Sequence, residues 1–279
     1  MSEQASRGAI AKRAVLIVSL AIVLFFPWSL RPAHAQSEPP GTVTCKPEWD
    51  GIKAWLPPGA RVELLVAAGN TIPAGYWPRY REAASAILAC AGDGAVVELL
   101  PITDSGASVS PLFVATAPTP PPDLNNPLRL RLEREQFLKH SIPAIETLYT
   151  TTTKFGGFDP LGTLQVAGES LHHGSAGKLV VVMIGNGWQQ TDHVNLFRWG
   201  DNPANHADDV VRRLKSDGTL PNLATTDVVI TGLTRGDLRL KMGSAEITGL
   251  CTFWGKVVQA GHGKVVWCKA FLPGMTAPL

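Results

Sequence analysis

Three places along this chain carry residue types at spacings that chemistry could use. Gly168-Glu169-Ser170 has the Gly-x-Ser form of a nucleophile turn. That turn needs a strand before it and a helix after it. Here a helical pattern precedes Ser170, an apolar strand follows from Lys178, and no x-Gly follows the serine. Ser170 is therefore read as a surface helix residue. His172-His173 are of metal-ligand type, but they precede Gly174-Ser175 at a helix end, where the helix dipole favours a cationic imidazole. Asp192-His193, with His206 and Asp208-Asp209, offers the carboxylate and imidazole set of a hydrolytic metal centre. It defines the enzyme reading of the chain, a metal-dependent hydrolase. The acids at 208–209 also open a helix, where negative charge is favoured anyway, and the non-catalytic reading is preferred.

Binding chemistry is placed differently. Two apolar runs stop at similar loops: Arg61 to Ala68 runs into Gly69-Asn70-Thr71, and Lys178 to Ile184 runs into Gly185-Asn186-Gly187. Past the second, Trp188, Phe197 and Trp199 are interleaved with Gln189, Gln190, Asn195, Arg198 and Asn202. Trp and Arg concentrate binding energy at protein interfaces. The alternative is that these aromatics close a small core beneath a long loop.

The elements that must position these loops follow from periodicity. Strands are expected at about 61–68, 95–102, 111–116, 178–184, 227–231 and 264–271. Helices are expected at about 80–91, 128–149 with Pro143 a kink, 161–171, 206–214 and 245–260. The Pro-rich stretch 117–127 cannot be regular structure. Strands alternating with helices predict an α/β fold: a doubly wound, mostly parallel sheet with helices on both faces and one short antiparallel edge strand. Its strands should be almost wholly apolar. Ligands in such sheets sit beyond the carboxyl ends of the strands, where strand order reverses. That directs attention to the loops after 68 and 184.

Bulk properties narrow the class further. The 279 residues are 45% hydrophobic and 17% charged, with a formal charge of +2. The first 35 residues hold Glu3 against Arg7, Lys12, Arg13 and Arg31, a net +3, so the remainder is near −1. No basic surface argues for nucleic acid. Arg7, Lys12 and Arg13, then the apolar run Ala14 to Phe26, then Ala33-His34-Ala35 before Gln36, read as a cleaved secretory signal. The run is short of the roughly 20 residues of a spanning helix. Export implies an oxidising compartment, periplasmic or extracellular, and two disulfides from the four cysteines. Four cysteines allow three connectivities; Cys251–Cys268 with Cys45–Cys90 is the pairing expected. The organisation expected is a signal peptide at 1–35, an extended N-terminal segment at 36–60, an α/β domain at 61–273 and a tail at 274–279.

The order of elements resembles the von Willebrand factor A-type (VWA) domain over about 61–272. Ala91-Gly-Asp-Gly-Ala-Val-Val-Glu-Leu-Leu-Pro-Ile-Thr103 looks like the family's second strand with its Gly-Asp lead-in. Phe158-Asp-Pro-Leu-Gly-Thr-Leu164 looks like its Thr-Asp turn into a helix, and Phe253-Trp254 with Ala260-Gly261 resembles the final helix of a bacterial subset. The resemblance implies a metal-ion-dependent adhesion site, built from Asp-x-Ser-x-Ser after the first strand, a middle Thr and an Asp after the fourth. Hard divalent cations need such oxygens. Here those positions fall at Ala67 or Ala68, Gly69, Thr71, Phe158 and Asn186, so only Thr71 keeps an expected ligand. The expectation is a degenerate site with no metal and no cofactor, unless Asp104 and Asp159 converge there. The function expected is an exported, non-catalytic protein-binding domain. Its contacts would be Gly69, Asn70, Thr71, Asp159, Asn186, Trp188, Phe197, Arg198 and Trp199, and its partner another protein. A structural subunit of an envelope assembly is the further alternative.

Overall fold

The structure is a computed structural model and describes residues 44–73, 75–120, 126–150, 154–172, 177–200, 202–235 and 242–275. The expected signal segment 1–35, residues 36–43, His173 and the last four residues lie outside these. Six strands form one sheet: β1 (Arg61–Ala67), β2 (Val96–Ile102), β3 (Phe113–Thr116), β4 (Leu179–Ile184), β5 (Thr226–Thr231) and β6 (Lys264–Cys268). Their order is β3-β2-β1-β4-β5-β6. All neighbours pair in parallel except β2 and β3, which pair antiparallel. This is the doubly wound order of the VWA/Rossmann-like class, and its reversal point lies between β1 and β4.

Seven α-helices surround the sheet among the described residues: α1 (Asp50–Trp55), α2 (Trp77–Cys90), α3 (Pro127–Thr150), α4 (Pro160–His172), α5 (Leu196–Trp199), α6 (Ala207–Ser216) and α7 (Ser244–Ala260). The core fills from both sides. Leu64, Leu65 and Val66 of β1 and Val180, Val181 and Val182 of β4 are fully buried, as are Ile87 of α2 and Phe253 and Trp254 of α7. Side chains alternate across a strand, so a continuous apolar run forms only when helices cover both faces.

The expected disulfides are both present, Cys45–Cys90 and Cys251–Cys268. The first one bears on a correction. Residues 36–60 were expected to be extended, but Pro47–Trp49 form a 3-10 turn and Asp50–Trp55 form α1. Ile52 and Leu56 are buried, and the Trp55 ring lies 5.5 Å from that of Trp267. Residues 44–60 are thus part of the domain. Pro47 opens the 3-10 turn, and Pro57-Pro58 follow the end of α1. Pro143 lies inside one helix, α3.

Candidate functional site

The loops after β1 and β4 stand at the reversal point, and each is closed by its own bonds. After β1, the Thr71 hydroxyl donates to the Ala68 carbonyl at 2.6 Å and accepts from the Ala68 amide at 3.0 Å. Its one proton is therefore committed to the turn. Asn70 clips the neighbouring loop by a pair of bonds, its Nδ2 donating to Phe155 O at 3.1 Å and its Oδ1 accepting from Phe155 N at 2.8 Å. After β4, Asn186 is 8% exposed and its Oδ1 accepts from Trp188 N at 2.9 Å. Gly187 takes φ +78°, a backbone state that suits glycine, and a Cβ there would meet Leu233 Cδ2 at 2.4 Å. Its carbonyl accepts from Trp254 Nε1 at 2.9 Å.

Phe158 fills the space between these loops. It is 2% exposed. A Cβ on Gly185 would stand 2.9 Å from Phe158 Cζ, and the Ile102 side chain closes the other side at 3.7 Å. Backbone bonds pin the phenylalanine in place: Phe158 N donates to Gln190 O at 2.9 Å, and Gln190 N donates to Phe158 O at 2.7 Å. Ala67 and Ala68 are buried beside it. A buried aromatic ring thus stands where the resemblance would place the middle Thr, and a buried alanine, Ala67 or Ala68, where it would place the first Asp.

Asp159 does not join Asp104 in an ion site. Its Oδ1 accepts from Gly162 N at 2.9 Å and Gln189 Nε2 at 2.7 Å, and its Oδ2 accepts from Gly106 N at 3.0 Å. It caps α4 ahead of Pro160, a residue suited to the first helical position. Asp104 Oδ2 accepts from Gly156 N at 2.8 Å. Gln189, 1% exposed, completes this lock, since its Oε1 accepts from Leu161 N at 3.0 Å. The sequence reading missed Gln189 as a structural residue. The Asp-Pro pair at 159–160 was the signal that could have identified the cap.

The aromatic loop divides in two. Trp188 is 6% exposed, and its Nε1 donates to Thr234 O at 3.0 Å, so it belongs to the core and not to the expected contact surface. Phe197 stacks on it at 4.6 Å and remains 42% exposed. Trp199 packs against His206, tilted by 31° with ring centroids 4.2 Å apart, and is 36% exposed. Arg198 between them is exposed, on the short helix α5 capped by Asn195, whose Oδ1 accepts from Arg198 N at 3.0 Å.

An open groove of about 810 Å³ lies next to these loops. Its floor is the first turn of α4, with Gln165. Its walls carry Asp104, Gln190, Asp192, His193, Phe197 and Arg198, and Arg213 and Asp217 close the α6 side. The hydrolytic group suggested by sequence is split. Asp192 and His193 line the groove, but His206 packs against the Trp199 ring and Asp208 pairs with Lys256 at 2.6 Å. No three His, Cys, Asp or Glu side chains are gathered to hold an ion among the described residues. Ser170 is also misplaced by the sequence reading. It is half-buried and turned to the sheet, 3.4 Å from Glu98 Oε2, rather than at the surface.

No family model matches the chain, and no curated protein matches it. Among solved structures it is similar to the conserved hypothetical protein BatB from Bacteroides thetaiotaomicron. The identity is 9% and the TM-score 0.43, covering 76% of this chain and 91% of that one.

Proposed function

We propose that this chain is a VWA-like, non-catalytic protein-binding domain that works in the periplasm or cell envelope without a cation at its switch point. The observation that carries this reading is Phe158, whose buried ring packs against Gly185 where the resemblance calls for a ligand oxygen. Thr71 and Asp159 are already bonded within the fold, so neither is a free ligand to offset dehydration of a divalent ion. Two disulfides support an oxidising compartment.

The contact surface proposed is narrower than the loops at 69–75, 157–160 and 186–202. It is Phe197 and Arg198 at the groove, with the adjoining Trp199. These are exposed, with an arginine between two aromatic rings, the composition of an interface anchor. The test is capture of partners from envelope extract by the wild type and by a Phe197→Ala/Trp199→Ala variant. The variant is expected to keep its melting temperature and to lose at least one partner. Identical captures would remove this surface from the reading. Chelators are expected to change neither stability nor capture; a magnesium-dependent rise in melting temperature would overturn the cation-free assignment.

A further inference from the structure

β1 is a central strand, paired with β2 on one side and β4 on the other. Glu63 lies in its middle and is 1% exposed. Across the ladder its partner is Glu98 on β2. Residues in register on adjacent strands project to the same face, so two carboxyl groups share one patch. On the β4 side Glu63 is opposite Val181, which offers no charge. α4 covers the patch with Ser170, whose hydroxyl donates to Glu98 Oε2 at 3.4 Å. The Ser170 carbonyl accepts from Arg61 Nη2 at 3.5 Å. Arg61, on the same face of β1, is the cation nearest the pair among the described residues. Glu169 on α4 is exposed to solvent. Glu63 Oε2 is the only buried side-chain oxygen or nitrogen without a hydrogen-bond partner among the described residues.

We propose that Glu63 and Glu98 form a proton-holding site between the sheet and α4, with Glu63 protonated at neutral pH and ionised as the pH rises. Ser170 supplies one hydroxyl proton for two carboxyl groups, and Arg61 is engaged with a carbonyl. Glu98 is half-buried and keeps some contact with solvent, whereas Glu63 is fully buried, so an ionised Glu63 beside it would be costly. Burial, and then the adjacent Glu98 charge, push Glu63 up to about 8, against smaller opposing effects of Ser170 and Arg61. The native fold therefore holds a proton that the unfolded chain gives up at ordinary glutamate pH. The stability this supplies is full below the unfolded value and is lost as the pH rises towards about 8. On ionisation the proton passes to solvent base, and the pair repels beneath α4. Leu161, Gly162 and Gln165, nearer the start of the same helix, line the groove, so one helix runs from the pair to the groove.

Two measurements on the full chain test this. Carbon-13 NMR of the Glu63 side-chain carboxyl is expected to show titration well above the surface glutamates, with the Leu161 and Gly162 amides moving at the same midpoint. In thermal unfolding, the wild type is expected to lose at least about 4 °C between pH 5 and pH 9. Glu63→Gln should be nearly flat over that range, and Glu98→Gln should lose less and complete its loss at lower pH. Glu63 titrating with the surface glutamates would overturn the proposal, even if the variants failed to fold. So would a Glu63→Gln protein with the wild-type pH dependence. Alkaline loss reversed by added calcium, magnesium or zinc would overturn it in favour of a metal site.

Discussion

Asp159 shows how a residue suited to ion binding can be used up by structure. Its carboxylate takes three donors, from Gly106, Gly162 and Gln189. Asp159→Ala would remove a helix cap and leave buried donors unpaired, so a loss of about 2–3 kcal/mol is expected in urea unfolding. Phe158 plays the complementary part. Phe158→Ala would leave a void against Gly185 and Ile102 and should cost roughly 3–5 kcal/mol, read by the same unfolding curve. A loss under about 1 kcal/mol would mean that the ring does not fill the space described. Both residues were visible in the sequence as a Phe-Asp-Pro turn. That the aspartate faces the Gly106 amide and the phenyl ring faces Gly185 depends on loops from other parts of the chain, and no local spacing encodes that.

At the scale of elements, helix and strand positions were legible and their partners were not. All six strands and the five longer helices fall where apolar periodicity puts them, because burial on one stripe or two faces imposes that periodicity. The short elements escaped it. α1 has six residues and α5 has four, too few for a periodic signal, and tertiary packing holds them. The α5 segment is where function is expected. Arg198→Ala alone is expected to weaken partner capture several-fold, measured by surface plasmon resonance once a partner is in hand, with a change in unfolding free energy below about 0.5 kcal/mol. Equal affinity for the variant would place the anchor elsewhere in the groove.

At the scale of the molecule, the two disulfides staple opposite margins of the fold. Cys45–Cys90 ties residues before β1 to the end of α2, and Cys251–Cys268 ties α7 to the edge strand β6. Their sequence separations are 45 and 17. Chain-entropy reasoning gives the longer loop the larger effect, about 4 against about 3 kcal/mol. The Cys45→Ser/Cys90→Ser variant is therefore expected to melt lower than Cys251→Ser/Cys268→Ser in parallel thermal scans. The reverse order would show that native packing at the α7–β6 margin outweighs loop length.

By itself the sequence determined the alternation of strands and helices, the doubly wound class and the two loops at its reversal point. Each of these follows from local periodicity and from turn residues read in place. From the VWA resemblance it also carried the expectation that Ala67 or Ala68, Gly69, Phe158 and Asn186 stand where oxygen ligands would be. Only the tertiary structure decided what replaces them. It put Phe158 in the space, withdrew Trp188 into the core, left Phe197 and Trp199 at the surface, and set Glu63 beside Glu98 under Ser170. The physical reason is register. Which side chains meet across strands and loops distant in sequence is fixed by pairing and packing, and that is what sets a buried Glu63 against a half-buried Glu98.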